Sequence, residues 1–493
     1  MKLRDMLKQM GLENTEGNLE VEITGIAHDS RKVQPGYLFV CVEGFKSDGH
    51  DFIEVAAQSG AVAFLVQKEV PALAGKNWVK VTDTRWALAD VSAAFYDFPA
   101  TKMNVIGITG TNGKTTTTHL VKAILEAVDQ KVGLIGTIHN IIDNRSLPVS
   151  NTTPLPLELQ EVFHQMVQVD TDSVVMEVSS HALDLGRVAN VEYDVAVFTN
   201  ITQDHLDYHE TMEKYLEAKT KLFSGLAQNG IKKRPKYAII NKDDSGAAYI
   251  VERSGGQVIT YGIKNLADVR ATNINIQASG VSFIVEFPGG STHLDLKMTG
   301  MFSVYNALAA FSVGLCEQVP VEKIKGALEG VSGVAGRFEL VDEGQDFAVI
   351  VDYAHTPDSL ENVLKTAQEF AKGRIISVFG CGGDRDRTKR PIMAAVSGRL
   401  ADFTIITSDN PRSEDPEQIV LDVEAGIKEV AKPEQYTVIV DRAQAIRRAV
   451  EMALKDDIVI IAGKGHETYQ ILKEETIHFD DREVAAEVLK ERK

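Results

Sequence analysis

Residues 104–118 read Asn-Val-Ile-Gly-Ile-Thr-Gly-Thr-Asn-Gly-Lys-Thr-Thr-Thr-Thr. The apolar run 104–108 has the character of a buried strand, and 115–128 that of a helix. Between them lies a glycine-rich turn ending in Gly113-Lys114-Thr115. Glycines let backbone N–H groups approach an anion, and the helix N-terminus adds its dipole, so this order builds a phosphate cradle. Lys114 would reach terminal phosphates and Thr115 would offer a hydroxyl to Mg²⁺. The strict form of the pattern needs glycine where this chain has Ile108. What remains is the shorter form Gly110-Thr111-Asn112-Gly113-Lys114-Thr115-Thr116. A strand, loop and helix in this order commit that part of the chain to a mostly parallel α/β sheet.

The chain has 493 residues, which at ~150 residues per domain suggests about three domains. A net charge of −18 argues against nonspecific binding to nucleic acid or anionic membranes. Any anionic substrate must therefore be met by local basic groups. Cys41, Cys316 and Cys381 lie far apart without a CxxC pair, so a disulfide framework and a cysteine zinc site are both excluded. Charges interrupt the apolar residues of Met1–Met10 every few positions, giving an amphipathic helix in place of a signal peptide. No apolar run approaches the ~20 residues of a membrane span. A cytoplasmic monomer acting on small molecules is the expectation.

Taken in order, 1–98 reads as a small α/β domain. Its strands are 37–42 and 61–66, with helices 52–59 and 85–98. The polar stretches His28-Asp-Ser-Arg31 and Lys46-Ser-Asp-Gly-His-Asp51 follow strand ends. Pro99 marks a linker. In 99–333, strands at 131–135, 173–178, 195–199 and 237–241 alternate with helices at 155–169 and 211–227, the mark of a sheet covered on both faces. A hairpin follows, 269–277 and 281–287 about Ala278-Ser-Gly280, and then a helix over 303–317. Glu177 closes one strand. His205 and His209 have the spacing of a helical metal pair, but no HExxH glutamate accompanies them, and oxygen-rich groups beside a phosphate loop suit Mg²⁺ better than zinc. In the helix whose apolar face is Tyr215, Leu216, Leu222 and Phe223, Lys219 reads as a lysine on a solvated face.

Residues 334–493 read as a second, Rossmann-like alternating α/β domain with strands at 347–351, 375–379, 403–407, 437–440 and 458–462. In open α/β sheets ligands bind outside the carboxyl ends of the strands. The segments there are Asp352–His355, Gly380–Arg387, Ser408–Arg412, Asp441-Arg442 and Gly463–Glu467. All five are polar, charged or glycine-rich, and they should form one binding rim.

The loop Gly110–Thr116 and the stretches after it resemble the Mur ligase family of peptidoglycan synthesis. The resemblance rests further on Asn151-Thr-Thr-Pro154, Met176-Glu-Val-Ser-Ser-His181, Asn200-Ile-Thr-Gln-Asp-His205, Ala218-Lys219, Asn306-Ala-Leu-Ala-Ala310, Gly336-Arg337-Phe338 and Asp352-Tyr-Ala-His-Thr-Pro357. It extends to Asp29-Ser-Arg31 and Asp48-Gly-His50, so it covers essentially the whole chain. Gly383-Asp-Arg-Asp386 and Asp409-Asn-Pro-Arg412 resemble the branch that adds meso-diaminopimelate to UDP-N-acetylmuramoyl-L-alanyl-D-glutamate.

That resemblance implies an ATP-dependent amide ligase working through an acyl-phosphate. It implies that Gly110 to Thr116, Asn306, Arg337 and Asp352 bind the nucleotide, with Lys114, Glu177, His205 and Lys219 as the catalytic set. Mg²⁺ would be held by Thr115, Glu177, His205 and Lys219, the lysine carbamylated by CO₂ so that a cation becomes an acid ligand. Ser30, Asn151, Thr152, Thr153, Ser179 and Arg187 would contact the UDP substrate. The amino acid would meet Arg385, Asp409, Asn410, Pro411, Arg412, Gly463 and Glu467. Diaminopimelate differs from lysine by a distal carboxylate, which a planar guanidinium clamps bidentately, so Arg412 is the expected discriminator. Phosphates held in one domain and the amine in another imply closure on ATP.

An L-lysine-adding ligase is the nearest rival, and Arg412 speaks against it. A folylpolyglutamate-synthase-like ligase would leave the N-terminal domain and the Asp-Asn-Pro-Arg segment without a purpose. A P-loop switch or transport ATPase would leave the third-domain rim unexplained. A nicotinamide oxidoreductase is disfavoured because no Gly-x-Gly-x-x-Gly lies between a strand and a helix.

Overall fold

The computed structural model describes residues 1–10, 18–44, 47–70, 76–149, 151–227 and 230–492. Lys46, which opens the second N-terminal polar stretch, lies outside them. The chain forms two compact units, Met1–Tyr261 with Ala309–Val319, and Gly262–Leu308 with Pro320–Lys493.

The first unit begins with the amphipathic helix Leu3–Gln9, which buries Leu3, Met6 and Leu7. A four-stranded parallel sheet follows, ordered Gly25–Ala27, Tyr37–Val40, Ala63–Val66, Asn77–Lys80. Helix Thr84–Phe95 packs Ala87, Leu88, Val91 and Ala94 onto the core shared with Leu38 and Leu65. Its first turn is capped by Asp83, which accepts the N–H groups of Arg85 and Trp86. The helix stops three residues short of Phe98. Asp97 and Phe98 take left-handed backbone, at φ 59° and 45°, before Pro99 opens a short 3-10 turn.

The larger sheet of this unit is ordered Gln257–Gly262, Tyr237–Asn241, Val195–Phe198, Asn104–Thr109, Ser173–Glu177, Val132–Ile135, all parallel. An antiparallel hairpin, Asn140–Ile142 with Arg145–Leu147, extends the Val132 edge. The four inner strands from Val195–Phe198 to Val132–Ile135 are buried along their whole length, as expected of a parallel sheet covered on both faces. Helices Lys114–Glu126, Pro156–Gln168 and Met212–Ser224 follow three of these strands. The short Asn140 hairpin and strand Gln257–Gly262 carry too little periodicity to be read from sequence.

In the second unit, strands Val269–Gln277 and Gly280–Phe287 form the expected hairpin, and Gly290–Leu296 adds a third antiparallel strand. Its six-stranded sheet is ordered Glu339–Leu340, Ala348–Asp352, Ile458–Ala462, Ile375–Cys381, Phe403–Ser408, Tyr436–Val438. The last five strands are parallel, so their carboxyl ends share one edge. The three α/β sheets are those the strand–helix alternation predicts. Among the described residues no helix is long and apolar enough to cross a membrane.

Candidate active site

The phosphate loop is fastened to the strand beside it. Thr111 N–H donates to the Asn200 carbonyl at 2.9 Å, and Asn112 N–H to Asn200 Oδ1 at 2.9 Å. The Thr199 hydroxyl donates to the Asn112 carbonyl at 2.6 Å. Gly110 sits at φ +154°, and a Cβ there would lie 1.9 Å from Thr199 Oγ1, so no other residue fits. Gly113, at φ +86°, turns the chain into helix Lys114–Glu126. Lys114 Nζ donates to the carbonyls of Gly110 and Thr111 at 2.9 and 2.8 Å, which keeps the ammonium at the loop. Thr115 and Thr116 are buried beneath it.

Beside the loop, Glu177 is only 1% exposed and accepts the Thr137 N–H at 2.8 Å, with the Thr137 hydroxyl at 3.0 Å. That hydroxyl also lies 3.1 Å from Thr152 Oγ1. The Thr153 hydroxyl donates to the Glu177 carbonyl at 2.8 Å and accepts the Ser179 N–H at 3.0 Å. Ser179 caps the following helix through Ala182 N–H, and Arg187 Nη1 reaches the Thr153 carbonyl at 3.4 Å. Thr152, Thr153, Ser179 and Arg187 therefore gather around Glu177, with Asn151 exposed before them. Ser30 opens a short 3-10 turn capped by Asp29. The Arg31 guanidinium holds the Asp29 carboxyl down to about 2.

Lys219 corrects the periodicity reading. Helix Met212–Ser224 buries Tyr215, Ala218, Lys219, Thr220, Leu222 and Phe223; Lys219, four residues after Tyr215 and four before Phe223, lies on the apolar face itself and is 1% exposed. Its ammonium lies 4.3 Å from the centre of the Tyr215 ring. Burial, and next the charge of Lys114, pull its proton affinity well below that of a free lysine, against the opposing pull of Asp204 and Asp244. His205 is likewise lowered by burial, and it feels Asp204, Lys114 and Lys219. Lys114, His205 and Lys219 thus share one neighbourhood. His205 takes left-handed backbone at φ +54° and lies edge-on to His181, ring centres 4.8 Å apart. His209 lies with Nε2 2.9 Å from the Ser180 hydroxyl. Because His205 precedes helix Leu206–His209 outside helical geometry, the two histidines do not form the helical metal pair their spacing suggests. Among the described residues no three His, Cys, Asp or Glu side chains gather as a metal cluster. The expected set offers two, Glu177 and His205, with the Thr115 hydroxyl, and needs its next acid to be made on Lys219.

In the second unit, Asn306 is buried on helix Met301–Cys316. Arg337 and Asp352 lie together: Phe338 N–H donates to Asp352 Oδ2 at 2.7 Å, and the Arg337 guanidinium sits 5.1 Å from the centre of the Tyr353 ring. Desolvation lifts the Asp352 carboxyl to about 6, with Arg337 pulling the other way.

The rim gathers the expected amino-acid contacts. Arg412 takes left-handed backbone at φ +53°, and Nη1 donates to the Gly383 carbonyl at 2.9 Å and the Asn410 carbonyl at 3.4 Å. A strained arginine persists only where its surroundings hold it. A Cβ on Gly382 would meet Arg412 Nη1 at 2.8 Å and Arg385 Cγ at 3.8 Å, so both guanidinium side chains flank that glycine. Arg385 is exposed. Pro411 leads into Arg412, and Asp409 and Asn410 are buried. Gly463, at φ +119°, lies against Asp409: a Cβ would come within 2.8 Å of Asp409 Oδ2. Glu467 accepts from Asn410 Nδ2 at 2.8 Å.

Several supporting residues escaped the sequence reading. Thr137 follows the carboxyl end of strand Val132–Ile135, where the edge rule could have flagged it. Arg390, fully buried, bonds Glu414 and Asp422 at 2.8 Å each, and Glu414 accepts the Asp384 N–H at 2.6 Å, fixing the loop that carries Arg385. Lys464 and Arg442 lie within quoted rim segments, but nothing in the sequence marks them as buried.

Residues 22–96 match the Mur ligase family catalytic domain, 108–314 the Mur ligase middle domain, and 336–465 the Mur ligase glutamate ligase domain. A UDP-N-acetylmuramoyl-L-alanyl-D-glutamate–2,6-diaminopimelate ligase of Geobacillus thermodenitrificans is 50% identical over 493 residues, covering 100% of both chains. A Bacillus cereus ligase of the same name is 51% identical over 472 residues, 95% of this chain and 94% of its own. A solved structure of an enzyme with that name superposes with a TM-score of 0.71 at 31% identity, covering 100% of this chain and 99% of its own. A Thermotoga maritima MurF ligase solved with ADP shares the fold, with a TM-score of 0.63 at 18% identity, covering 97% of this chain and 100% of its own. Full-length identity near one half, together with family models matched over 22–96, 108–314 and 336–465, leaves one conclusion: the chain belongs to the Mur ligase family.

Proposed function

We propose that this chain is an ADP-forming ligase that joins meso-diaminopimelate to the D-glutamate γ-carboxylate of UDP-N-acetylmuramoyl-L-alanyl-D-glutamate. The observation that carries this reading is full-length identity of about 50% to ligases so named, which spans phosphate loop and rim alike. The reaction uses small-molecule substrates and ATP, and we place it in the cytoplasm with the enzyme a monomer.

A γ-carboxylate oxygen attacks the γ-phosphorus of ATP, the bond to the ADP oxygen breaks, and an acyl-phosphate forms. The diaminopimelate amine then attacks the acyl carbon, inorganic phosphate departs with the C–O electron pair, and the nitrogen loses a proton. Lys114 and the loop N–H groups hold the phosphates, so the carboxylate meets an electrophile whose charge is already balanced. Asn306, Arg337 and Asp352 hold the rest of the nucleotide. Ser30, Asn151, Thr152, Thr153, Ser179 and Arg187 hold the UDP substrate. Two buried atoms support that assignment: His28 Nδ1 and Glu158 Oε2, which interact electrostatically, have no hydrogen-bond partner among the described residues. A polar ligand would satisfy both.

Oxygen donors and one imidazole fit Mg²⁺, and Thr115, Glu177, His205 and a carbamate on Lys219 would hold it. When bound, that ion neutralises charge on the transferring phosphoryl group. Lys219 suits carbamylation because the uncharged amine is the form that adds CO₂, and burial beside Lys114 favours that form. On the rim, the Arg412 and Arg385 guanidinium groups would clamp the distal carboxylate, while Glu467 and the Gly463 backbone take the distal ammonium. Asp409, Asn410 and Pro411 complete the pocket wall.

ADP release is the test. It should require both the UDP-muramoyl dipeptide and meso-diaminopimelate, and lysine should not replace the latter. ADP release with the dipeptide and lysine at equal efficiency would refute the amine assignment.

A further inference from the structure

Beneath the amine pocket lies a buried cation to which the reading above gives no role. Lys464 is 0% exposed, yet its ammonium stands 2.9 Å from Glu467 Oε2 and 3.2 Å from Asn410 Oδ1. Asn410 Nδ2 donates to the same Glu467 oxygen at 2.8 Å, which closes a triangle of three bonds. The Asn410 oxygen also accepts the Ile471 N–H at 2.9 Å, so the amide orientation is set. Glu467 itself is partly open, its side chain 14% exposed against 0% for Lys464. The carboxylate facing the pocket is therefore already matched by a cation from behind.

We infer that Lys464 is a specificity-determining residue, whose buried charge makes the pocket select a zwitterionic end group over a bare ammonium. The inference rests on the amine-pocket reading proposed above. Glu467 alone would attract the side-chain ammonium of lysine as readily as the distal ammonium of diaminopimelate. Lys464 separates the two. Diaminopimelate presents an ammonium and a carboxylate together, so its distal end is neutral overall and is scarcely repelled. Lysine presents one positive charge, which a buried cation opposes without solvent screening. Within several ångströms and at an effective dielectric of ~20, a single unit charge changes binding by more than about tenfold. Arg412 then rewards the extra carboxylate, while Lys464 penalises its absence: one attractive and one repulsive device, which is how specific sites are commonly built.

The test compares Lys464→Met with the unaltered enzyme in ADP release driven by diaminopimelate and by lysine, with Glu467→Gln as a control on the pocket. Lys464→Met should raise kcat/KM for lysine at least tenfold, shift that for diaminopimelate less than threefold, and leave the KM for ATP unchanged. Equal losses for both amines would show that Lys464 only supports the loop, and would overturn the inference. If Glu467→Gln left diaminopimelate turnover intact, the pocket assignment itself would fail, a different result from a silent Lys464→Met beside an impaired Glu467→Gln. A measurement needing no variant guards against a misfolded one: norleucine, which is lysine without its side-chain ammonium, offered to the unaltered enzyme. It should react at least as well as lysine, and a tenfold advantage for lysine would overturn the proposal.

Discussion

Replacing Arg442 with methionine should unfasten the C-terminal sheet edge from within. Arg442 and Asp481 are both 0% exposed and joined by paired contacts of 2.7 Å, Nε to Oδ1 and Nη2 to Oδ2. The guanidinium also donates to the Ser408 carbonyl at 3.3 Å and the Ala462 carbonyl at 3.0 Å. Those carbonyls end the two strands that lead into Asp409–Arg412 and Gly463–Glu467. Methionine fills similar space but strands a buried carboxylate, a loss of about 3–5 kcal/mol. For a unit of this size, at ~2–4 °C per kcal/mol, melting should fall by roughly 6–20 °C. Because the chain has two compact units, the loss is best read by hydrogen exchange at amides of strands Phe403–Ser408 and Ile458–Ala462, which reports local opening free energy. The double variant Arg442→Met with Asp481→Leu should recover most of the loss, since it leaves no buried charge unpaired. A single-variant loss below about 1 kcal/mol, or a double variant no better than the single, would refute the reasoning.

Three further outcomes follow from the site. Lys219→Ala should lower kcat at least ~100-fold, as loss of a key electrostatic group does; full activity in that variant would remove the lysine from the mechanism. Arg412→Ala should reduce the diaminopimelate-over-lysine ratio of kcat/KM by ~10²–10⁴, and an unchanged ratio would clear Arg412 of the discriminating role. The Asp29 carboxyl, held at about 2 by Arg31, lies below its unfolded value, so its small contribution to stability is present above about pH 4 and lost as pH falls toward 2. Carboxyl-carbon NMR should show Asp29 titrating near 2 and moving up toward the ordinary value in Arg31→Ala. An unmoved titration would mean the guanidinium is not the cause.

Strand Tyr237–Asn241 and strand Ile458–Ala462 fall where local sequence puts them, because continuous apolar runs between polar turns have one low-energy reading. Strands Asn140–Ile142 and Gly290–Leu296 do not announce themselves. The first is three residues long, and the second carries only two apolar side chains, Leu294 and Leu296, so pairing with neighbours defines both. The histidine pair shows the converse error. A spacing of four implies a shared helical face only if both residues are helical, and the left-handed turn at His205 breaks that condition.

What the sequence determined by itself was the order of chemistry along the chain. The glycine turn before Lys114 set a strand, loop and helix in the order of a phosphate cradle, and strand–helix alternation set five polar segments on one sheet edge, because both depend on neighbours in sequence. Only tertiary structure decided which charges leave water. A lysine's charge marks Lys219 and Lys464 as solvent-facing, and tertiary packing leaves them 1% and 0% exposed. Burial removes the solvent that would screen them, which lowers the proton affinity of Lys219 and leaves the Lys464 charge unscreened beneath the rim.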